Sequence, residues 1–285
     1  MENIPIRSIT NVPQESILSD SFSIRDVQEV FGGKDSIQDT HRHTFFYMLA
    51  LQKGAGSHEI DFIPYEVSDN TIFFMRPGQV HKLTLKAGST GYLMQFTIAF
   101  YSPQDHKASH VLRRVGSINS YQFNDQNFEK LFSVLRYIFQ EYTDQQEGFQ
   151  EVIKANLGIC FIELLRQNNQ KSSESTNLYG QERLEELLEL LETHAINHKQ
   201  VSDYADMLNL SVYQLNAITK SMLGKTCSEL ITDYCILEAK RYLLATSNQV
   251  NQIAYYLGYE DTSYFIRFFK KHTGYSPEAF RHNFR

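Results

Sequence analysis

Three histidines in the first part of the 285-residue chain have a spacing that allows them to act together. His41 and His43 are two positions apart, and His81 follows the turn-forming pair Pro77 and Gly78. On a β-strand, residues i and i+2 point to the same face, so two neutral imidazoles can chelate one metal ion or hydrogen-bond one ligand. A metal site and a ligand site are thus two interpretations, and the third is that all three histidines are structural groups at the mouth of a β-barrel.

The C-terminal part contains two segments that match each other. In each, an alanine is followed three residues later by a leucine and then by a residue that favours a turn, and Lys-x-x-x-Gly closes the segment. The segments run from Val201 to Leu215, continuing to Lys220 and Gly224, and from Val250 to Phe265, continuing to Lys270 and Gly274.

Each shared feature has a physical reason. Small residues, Ala205 and Ala254, allow two helices to cross at a steep angle, and Asn209 and Gly258 tolerate the positive φ of a sharp turn. Ser211 with Gln214 is a capping box that opens the second helix of the first unit, and Asp261 can cap its counterpart. The pattern predicts two helix-turn-helix units, each with a second helix that has a polar or basic face. The residues of these faces are Tyr213, Asn216, Lys220, Thr262, Ser263, Arg267 and Lys270. The alternative is two αα-hairpins that only stabilise the fold.

The rest of the chain predicts the elements that position these groups. Short apolar runs at 44–51, 57–63 and 71–75, separated by Gly, Pro and Asn-Asp turns, indicate an antiparallel β-barrel over about 20–120. Helical spacing over about 125–168 predicts two amphipathic helices, which pack on the barrel or pair with a second subunit. A polar stretch without a hydrophobic residue at 168–177 predicts a linker, which we place at 170–180. We therefore expect a two-domain α+β protein: a barrel with two helices at 1–169, and an all-α domain at 181–285 with helix-turn-helix units at about 201–224 and 250–274.

Composition sets further limits. The chain has 42% hydrophobic residues and 21% charged residues, typical of a globular protein, and no apolar run approaches the roughly 18–20 residues of a membrane span. Cys160, Cys227 and Cys235 form no Cys-x-x-Cys pair, which favours reduced thiols in a cytoplasmic protein. The net charge of −6 argues against nucleic acid, but acid is concentrated in the segment 181–192 and cations follow Thr262.

The second predicted helix-turn-helix unit extends into a long motif that is specific to one family. It reads Ile253-Ala254-x-x-Leu257-Gly258-Tyr259-x-Asp261-x-Ser263-Tyr264-Phe265-x-Arg267-x-Phe269-Lys270-Lys271-x-x-Gly274-Tyr275-Ser276-Pro277-x-x-Phe280-Arg281. The motif resembles the signature of the AraC/XylS transcription regulators. More loosely, His41-Arg42-His43 and Pro77-Gly78-Gln79-Val80-His81 are similar to the cupin-like effector domains of that family.

The resemblance implies that two recognition helices enter successive major grooves on one face of DNA. Carried over by position, the base-facing residues are Val212, Tyr213, Asn216 and Ala217 in the first unit, and Thr262, Ser263, Ile266 and Arg267 in the second. Arg267 can pair with guanine and Asn216 with adenine, each discriminating by roughly 1–3 kcal/mol. Lys220, Lys270 and Lys271 are expected to contact phosphate. Where the family usually has an arginine and an aromatic residue, this chain has Ala217 and Thr219, so the first helix is expected to read DNA weakly.

The resemblance also bears on the histidines. Metal-binding cupins supply a glutamate just after the histidine pair, and this chain has Phe45, Phe46, Tyr47 and Met48 there. We therefore expect no metal and no other cofactor, and an effector-binding site formed by His41, His43, Tyr47, Tyr65 and His81.

The expected function is a sequence-specific transcription regulator, and activation is the more common mode in the family. Its expected partners are double-stranded promoter DNA, RNA polymerase, a small-molecule effector and a second copy of the chain. Enzyme motifs such as Gly-x-Ser-x-Gly and His-Glu-x-x-His are absent from the sequence. The alternatives are a metal-dependent cupin enzyme with a helical appendage, and an interaction protein that uses the helical repeat for docking.

Overall fold

The computed structural model of the chain describes residues 4–7, 9, 18, 21–101, 106–169 and 178–284. One compact unit extends from Pro5 to Glu174, and a second contains Ser175–Arg285. The strands of the first unit are β1 Ile6–Arg7, β2 Phe22–Asp26, β3 Ser36–His43, β4 Phe46–Lys53, β5 Gly56–Ile60, β6 Ile63–Val67, β7 Thr71–Met75, β8 Val80–Leu85, β9 Thr90–Phe96 and β10 Ser120–Gln122. Its helices are α1 Val27–Phe31, α2 Ile98–Tyr101, α3 His106–Gly116, α4 Asp125–Asp144 and α5 Phe149–Asn169.

The strands form two five-stranded sheets, with orders β1-β3-β8-β5-β6 and β10-β7-β4-β9-β2. The second sheet is buried on both faces, which explains why β4 is an apolar run over its first six residues and does not alternate. One face carries Tyr47 and Leu49, which share a core with the first sheet. The other face carries Met48 and Ala50, which share a core with α4 and α5. The sequence left two uses of these helices open, and the structure shows that they pack on the barrel.

Two parts of the predicted barrel differ from the sequence-based expectation. The run 57–63 is not one strand, because Asp61 and Phe62 adopt φ of 48° and 67° and form the turn between β5 and β6. Three helices, α1, α2 and α3, lie within the range that was expected to contain only strands, and α3 is the longest of them. Leu112 and Val115 of α3 are buried in the core that the second sheet shares with α4 and α5.

The second unit is helical throughout its described length. Its helices are α6 Leu178–His194, α7 Val201–Met207, α8 Val212–Leu223, α9 Cys227–Ala245, α10 Val250–Tyr256, α11 Thr262–Thr273 and α12 Pro277–Phe284. The predicted linker lies mostly outside the described residues, and its last three residues belong to α6. In the ranges that the structure describes, every helix is too short or too polar to span a lipid bilayer.

Both expected turns are present. Asn209, between α7 and α8, has a φ of 54°, and Gly258, between α10 and α11, has a φ of 72°. A Cβ at Gly258 would lie 2.5 Å from the carbonyl oxygen of Ile196, so the position requires glycine for space as well as for conformation. Ala205 and Ala254 are buried at the helix crossings. The two helix-turn-helix units therefore have the local structure that their shared residues predict.

Candidate DNA-binding surface and effector cavity

Helix α8 is fixed at its N-terminus and along one side. The Ser211 hydroxyl accepts a hydrogen bond from the Gln214 amide at 3.2 Å, and the Gln214 side chain accepts from the Ser211 amide at 2.9 Å. Leu215 and Thr219 are fully buried. The opposite side is open to solvent, and Tyr213 at 83% exposure is its most prominent side chain. Of the other predicted contacts, Val212, Ala217 and Lys220 are also exposed.

Asn216 differs from its neighbours on α8 because its side-chain amide is engaged within the protein. Its Oδ1 accepts a hydrogen bond from the backbone amide of Cys227 at 3.0 Å, and its Nδ2 donates to the Val212 carbonyl at 3.1 Å. Cys227 is the first residue of α9, whose N-terminal amides need acceptors from outside the helix. Asn216 therefore ties α8 to the connecting helix, which residue spacing did not reveal.

Helix α11 has the same design with a more basic surface. The Asp261 carboxylate accepts a hydrogen bond from the Ser263 amide at 2.7 Å, and Phe265 and Phe269 are fully buried. The exposed predicted contacts are Ser263, Arg267, Lys270 and Lys271, and the half-buried ones are Thr262 and Ile266. No acidic side chain occurs within α11, so its solvent side is cationic.

Buried polar contacts lie within the connecting helix α9 and at its C-terminal end. Glu238 and Arg241 form an ion pair with both side chains 6% exposed. Arg281 of α12 donates from Nε to the Leu243 carbonyl at 3.0 Å and from its guanidinium to the Asn248 carbonyl. Arg281 belongs to the basic C-terminal segment, and the structure places its guanidinium on the end of α9. The contacts of Arg281 hold α12, which follows the second helix-turn-helix unit, against the end of α9.

The N-terminal unit contains a cavity of about 310 Å³ beside the histidines. Of the predicted effector residues, His41, His43 and Tyr47 line it. The lining residues that sequence reasoning missed are Arg7, Arg25, Val30, Gln38, Leu93 and Gln95. No carboxylate is among the lining residues, so the wall combines cations, amides and aromatic rings.

Buried polar groups of this wall, among them those of Tyr47 and Gln95, lack partners within the protein. The Tyr47 hydroxyl and the Gln95 Oε1 atom have no hydrogen-bond partner among the described residues, although both side chains are at most 4% exposed. Burial raises the pKa of Tyr47, so its hydroxyl stays protonated and can donate. Buried polar groups without partners are uncommon and need an explanation. A polar molecule in the cavity would satisfy them.

The histidines form a cluster of four, because His58 joins the predicted three. His81 Nε2 lies 2.9 Å from His43 Nε2 and 3.0 Å from His41 Nε2, and His81 Nδ1 lies 2.8 Å from His58 Nε2. Burial lowers the pKa of His41 to about 4 and the pKa of His43 and His58 to about 3. It also lowers the pKa of His81 well below its usual value. All four imidazoles are therefore neutral at physiological pH.

The remaining predicted effector residue, Tyr65, lies apart from the cavity. It is on β6 and packs edge-on against Phe73, with ring centroids 6.3 Å apart. It is not among the residues that line the cavity. The structure thus brings His41, His43, Tyr47 and His81 together but does not bring Tyr65 to them.

Comparison with known proteins agrees with this arrangement. The family model described as the AraC-like ligand binding domain matches residues 34–191, more than half of the chain. The chain belongs to the AraC/XylS family. A second family model, a helix-turn-helix domain, matches residues 204–283. The chain is accordingly a DNA-binding transcription regulator with a ligand-binding domain, and the cupin-enzyme alternative is not favoured.

Three of the proteins that this AraC/XylS member is similar to share less than 30% identity with it. The chain is 24% identical over 247 residues to the HTH-type transcriptional activator RhaS of Escherichia coli, with 85% of this chain and 86% of the relative covered. It is similar to the C-terminal domain of the response regulator yesN from Fusobacterium nucleatum, with 27% identity, a TM-score of 0.33, and coverage of 34% of this chain and 96% of that one. It is also similar to ToxT from Vibrio cholerae, with 16% identity, a TM-score of 0.43, and coverage of 92% and 97%.

The ligand-binding match ends within α6, past the boundary between the compact units. We assign α6 to the helical unit, because its Leu184, Leu187 and Leu191 are buried in the core formed with α7, α8 and α9.

Proposed function

We propose that the chain is a transcription activator that reads two successive major-groove segments of promoter DNA with α8 and α11 and responds to a small polar effector. The observation that carries the proposal is the pair of capped second helices, each buried on one side and open on the other. A helix of this kind fits the B-DNA major groove, which is about 12 Å wide.

The second helix-turn-helix unit supplies most of the base readout in this proposal. Arg267 is exposed, and among the described residues it has no hydrogen bond or ion pair. Its guanidinium can therefore meet the O6 and N7 atoms of guanine without losing a contact in the protein. Thr262, Ser263 and Ile266 border the same base-facing stretch, and Lys270 and Lys271 meet phosphate from the last turns of α11.

The first helix-turn-helix unit contributes apolar contacts with DNA more than hydrogen bonds to bases. Val212, Tyr213 and Ala217 present an exposed apolar and aromatic surface that suits thymine methyl groups, and Lys220 meets phosphate. The amide of Asn216 already has two partners within the protein. We therefore assign Asn216 the role of positioning α8, in place of pairing with adenine.

The effector is proposed to bind in the 310 Å³ cavity, where it would satisfy the Tyr47 hydroxyl and the Gln95 oxygen. Activation implies RNA polymerase as a partner and a cytoplasmic location, and RhaS, which carries the name of an activator, supports this choice. A homodimer is proposed to form through the outer faces of α4 and α5, where Tyr137, Ile159 and Ile162 are 45–46% exposed.

Selection of DNA from a random duplex library by the full chain tests the proposal. The expected result is an enriched site with two conserved segments whose centres lie about one helical turn apart, roughly 10 base pairs. A library that remains unenriched, while binding stays insensitive to salt, would support the docking-protein alternative instead. A reporter fused to an enriched site then distinguishes activation from repression.

A further inference from the structure

The four-histidine cluster brings one ring nitrogen from each of three histidines close together. One ring nitrogen from each of His41, His43 and His81 lies within 4.8 Å of the others, and His81 Nε2 lies 2.9 Å from His43 Nε2 and 3.0 Å from His41 Nε2. All three side chains are at most 4% exposed. Each comes from a strand of the same sheet, since β3 carries His41 and His43 and its neighbour β8 carries His81.

The N–H protons of the neutral histidines in this cluster cannot give each short nitrogen–nitrogen contact its own hydrogen bond. His41 Nδ1 donates to the Asp39 carbonyl at 2.6 Å, so the Nε2 atom of a neutral His41 carries a lone pair. If His81 Nε2 carries a proton, that one proton faces both His41 and His43. If it does not, lone pairs of His41 and His81 face each other at 3.0 Å. Neither arrangement gives each of these short contacts its own proton.

A cation bound between the three nitrogens removes this mismatch, because it accepts all three lone pairs. Zinc–imidazole bonds of 2.0–2.1 Å in tetrahedral geometry place two nitrogens about 3.3 Å apart. The two short Nε2 separations would then need to open by about 0.3–0.4 Å, and the third pair of nitrogens, which lies within 4.8 Å, would need to reach the same distance. Imidazole nitrogens without thiolates suit zinc, copper, iron and nickel, whereas magnesium and calcium require oxygen ligands.

The surroundings also resemble the second layer of a metal site. Metal-bound histidines donate their other ring N–H to a carbonyl, carboxylate or water, which fixes the tautomer. His41 makes this contact with Asp39 at 2.6 Å, and His81 Nδ1 has His58 Nε2 at 2.8 Å. His41 and His43 also line the 310 Å³ cavity, which provides a path for an ion and space for a further ligand.

We propose that His41, His43 and His81 bind one first-row divalent transition-metal ion through their Nε2 atoms, with His58 as the positioning residue that holds His81. The proposal goes beyond DNA and effector binding and departs from the expectation of no metal. That expectation rested on the lack of a glutamate at 45–48, and a three-imidazole site needs none.

The test uses the full-length, untagged chain, stripped with a chelator and dialysed, with Co²⁺ and Zn²⁺ as probes. We expect one equivalent of Co²⁺ per chain with visible d–d absorption, displacement of Co²⁺ by Zn²⁺, and a higher melting temperature in the presence of Zn²⁺. His41→Gln, His43→Gln and His81→Gln should each weaken binding at least tenfold. His58→Gln should weaken it about 10- to 100-fold without changing the stoichiometry.

The matched control is His198→Gln, which changes a partly exposed histidine of the helical unit and should leave the affinity unchanged. If a cluster variant does not fold, the Zn²⁺-dependent melting shift of the unaltered chain and its loss in the remaining variants still decide the matter. Failure of the unaltered chain to bind Co²⁺ at micromolar concentration would overturn the proposal. So would binding that persists in all three ligand variants. Either failure would leave the DNA selection experiment unaffected.

Discussion

Replacement of Arg267 with alanine separates base recognition from fold stability. The side chain projects from the exposed side of α11, opposite the side that buries Phe265 and Phe269. It has no polar partner among the described residues. Alanine is also the most favourable residue for a helix. We therefore expect the free energy of unfolding to change by no more than about 0.5 kcal/mol.

The effect on DNA binding should be much larger. A bidentate arginine–guanine contact discriminates by about 1–3 kcal/mol, which corresponds to an increase in Kd of about 5- to 160-fold on the selected site. Because the lost contact reads one base pair, the variant should also become indifferent to that base pair. Random duplex should be affected far less, since removal of one charge weakens only the nonspecific electrostatic term.

The assay is fluorescence anisotropy of the full chain on the selected duplex, on random duplex, and on the three single-base variants of the proposed guanine. Arg267→Lys is the matched control, because lysine keeps the charge but not the planar fork. It should retain binding to random duplex and lose most of the discrimination. Equal losses on selected and random DNA would show that Arg267 contacts phosphate, and the proposed readout would be wrong.

Further substitutions test other contacts. Asn216→Ala removes an acceptor from the first backbone amide of α9, so urea denaturation should show a loss of about 0.5–2 kcal/mol, and unchanged stability would contradict a positioning role. Lys270→Gln and Lys271→Gln should each reduce the slope of log affinity against log salt by about one, and an unchanged slope would exclude a phosphate contact. Gly258→Ala should cost more than about 1 kcal/mol in the same denaturation assay, because the residue has a positive φ and no room for a Cβ. Tyr47→Phe should leave the free energy of unfolding unchanged or raise it by up to about 1 kcal/mol, because the hydroxyl has no protein partner, while an effector's stabilising shift should shrink.

The sequence predicted the helical unit well because its signals are local. A capping box, an alanine at a helix crossing and a residue that tolerates positive φ each act within a few positions. The structure confirms them at Ser211, Ala205 and Asn209. The role of Asn216 escaped prediction because its partner, Cys227, lies eleven positions away on another helix.

The β-rich unit was predicted in class but less well in detail. The turn at Asp61 and Phe62 was missed because two-residue hairpin turns with positive φ usually contain glycine, and neither residue is one. The short helix α3 was missed because its apolar residues at 111, 112 and 115 cover little more than one turn. Burial of one sheet on both faces also removed the alternation that would have indicated which side of β4 faces the cavity.

The histidine cluster shows most clearly what requires the sheet topology. The two-residue spacing of His41 and His43 correctly places both on one face, because it is a property of a single strand. His81 meets them because its strand pairs with β3 in the register that sets His41 opposite His81. His58 is two residues from the position opposite His81 on the next strand, a diagonal relation within reach of an imidazole. His58 lies 17 positions after His41 and 23 positions before His81 in the sequence. These separations do not indicate that the three side chains meet, since the contact depends on the strand order β3-β8-β5. A search for ligand spacing in the sequence could therefore find a pair and suggest a third, whereas the partner that supports the third is visible only once the sheet is formed.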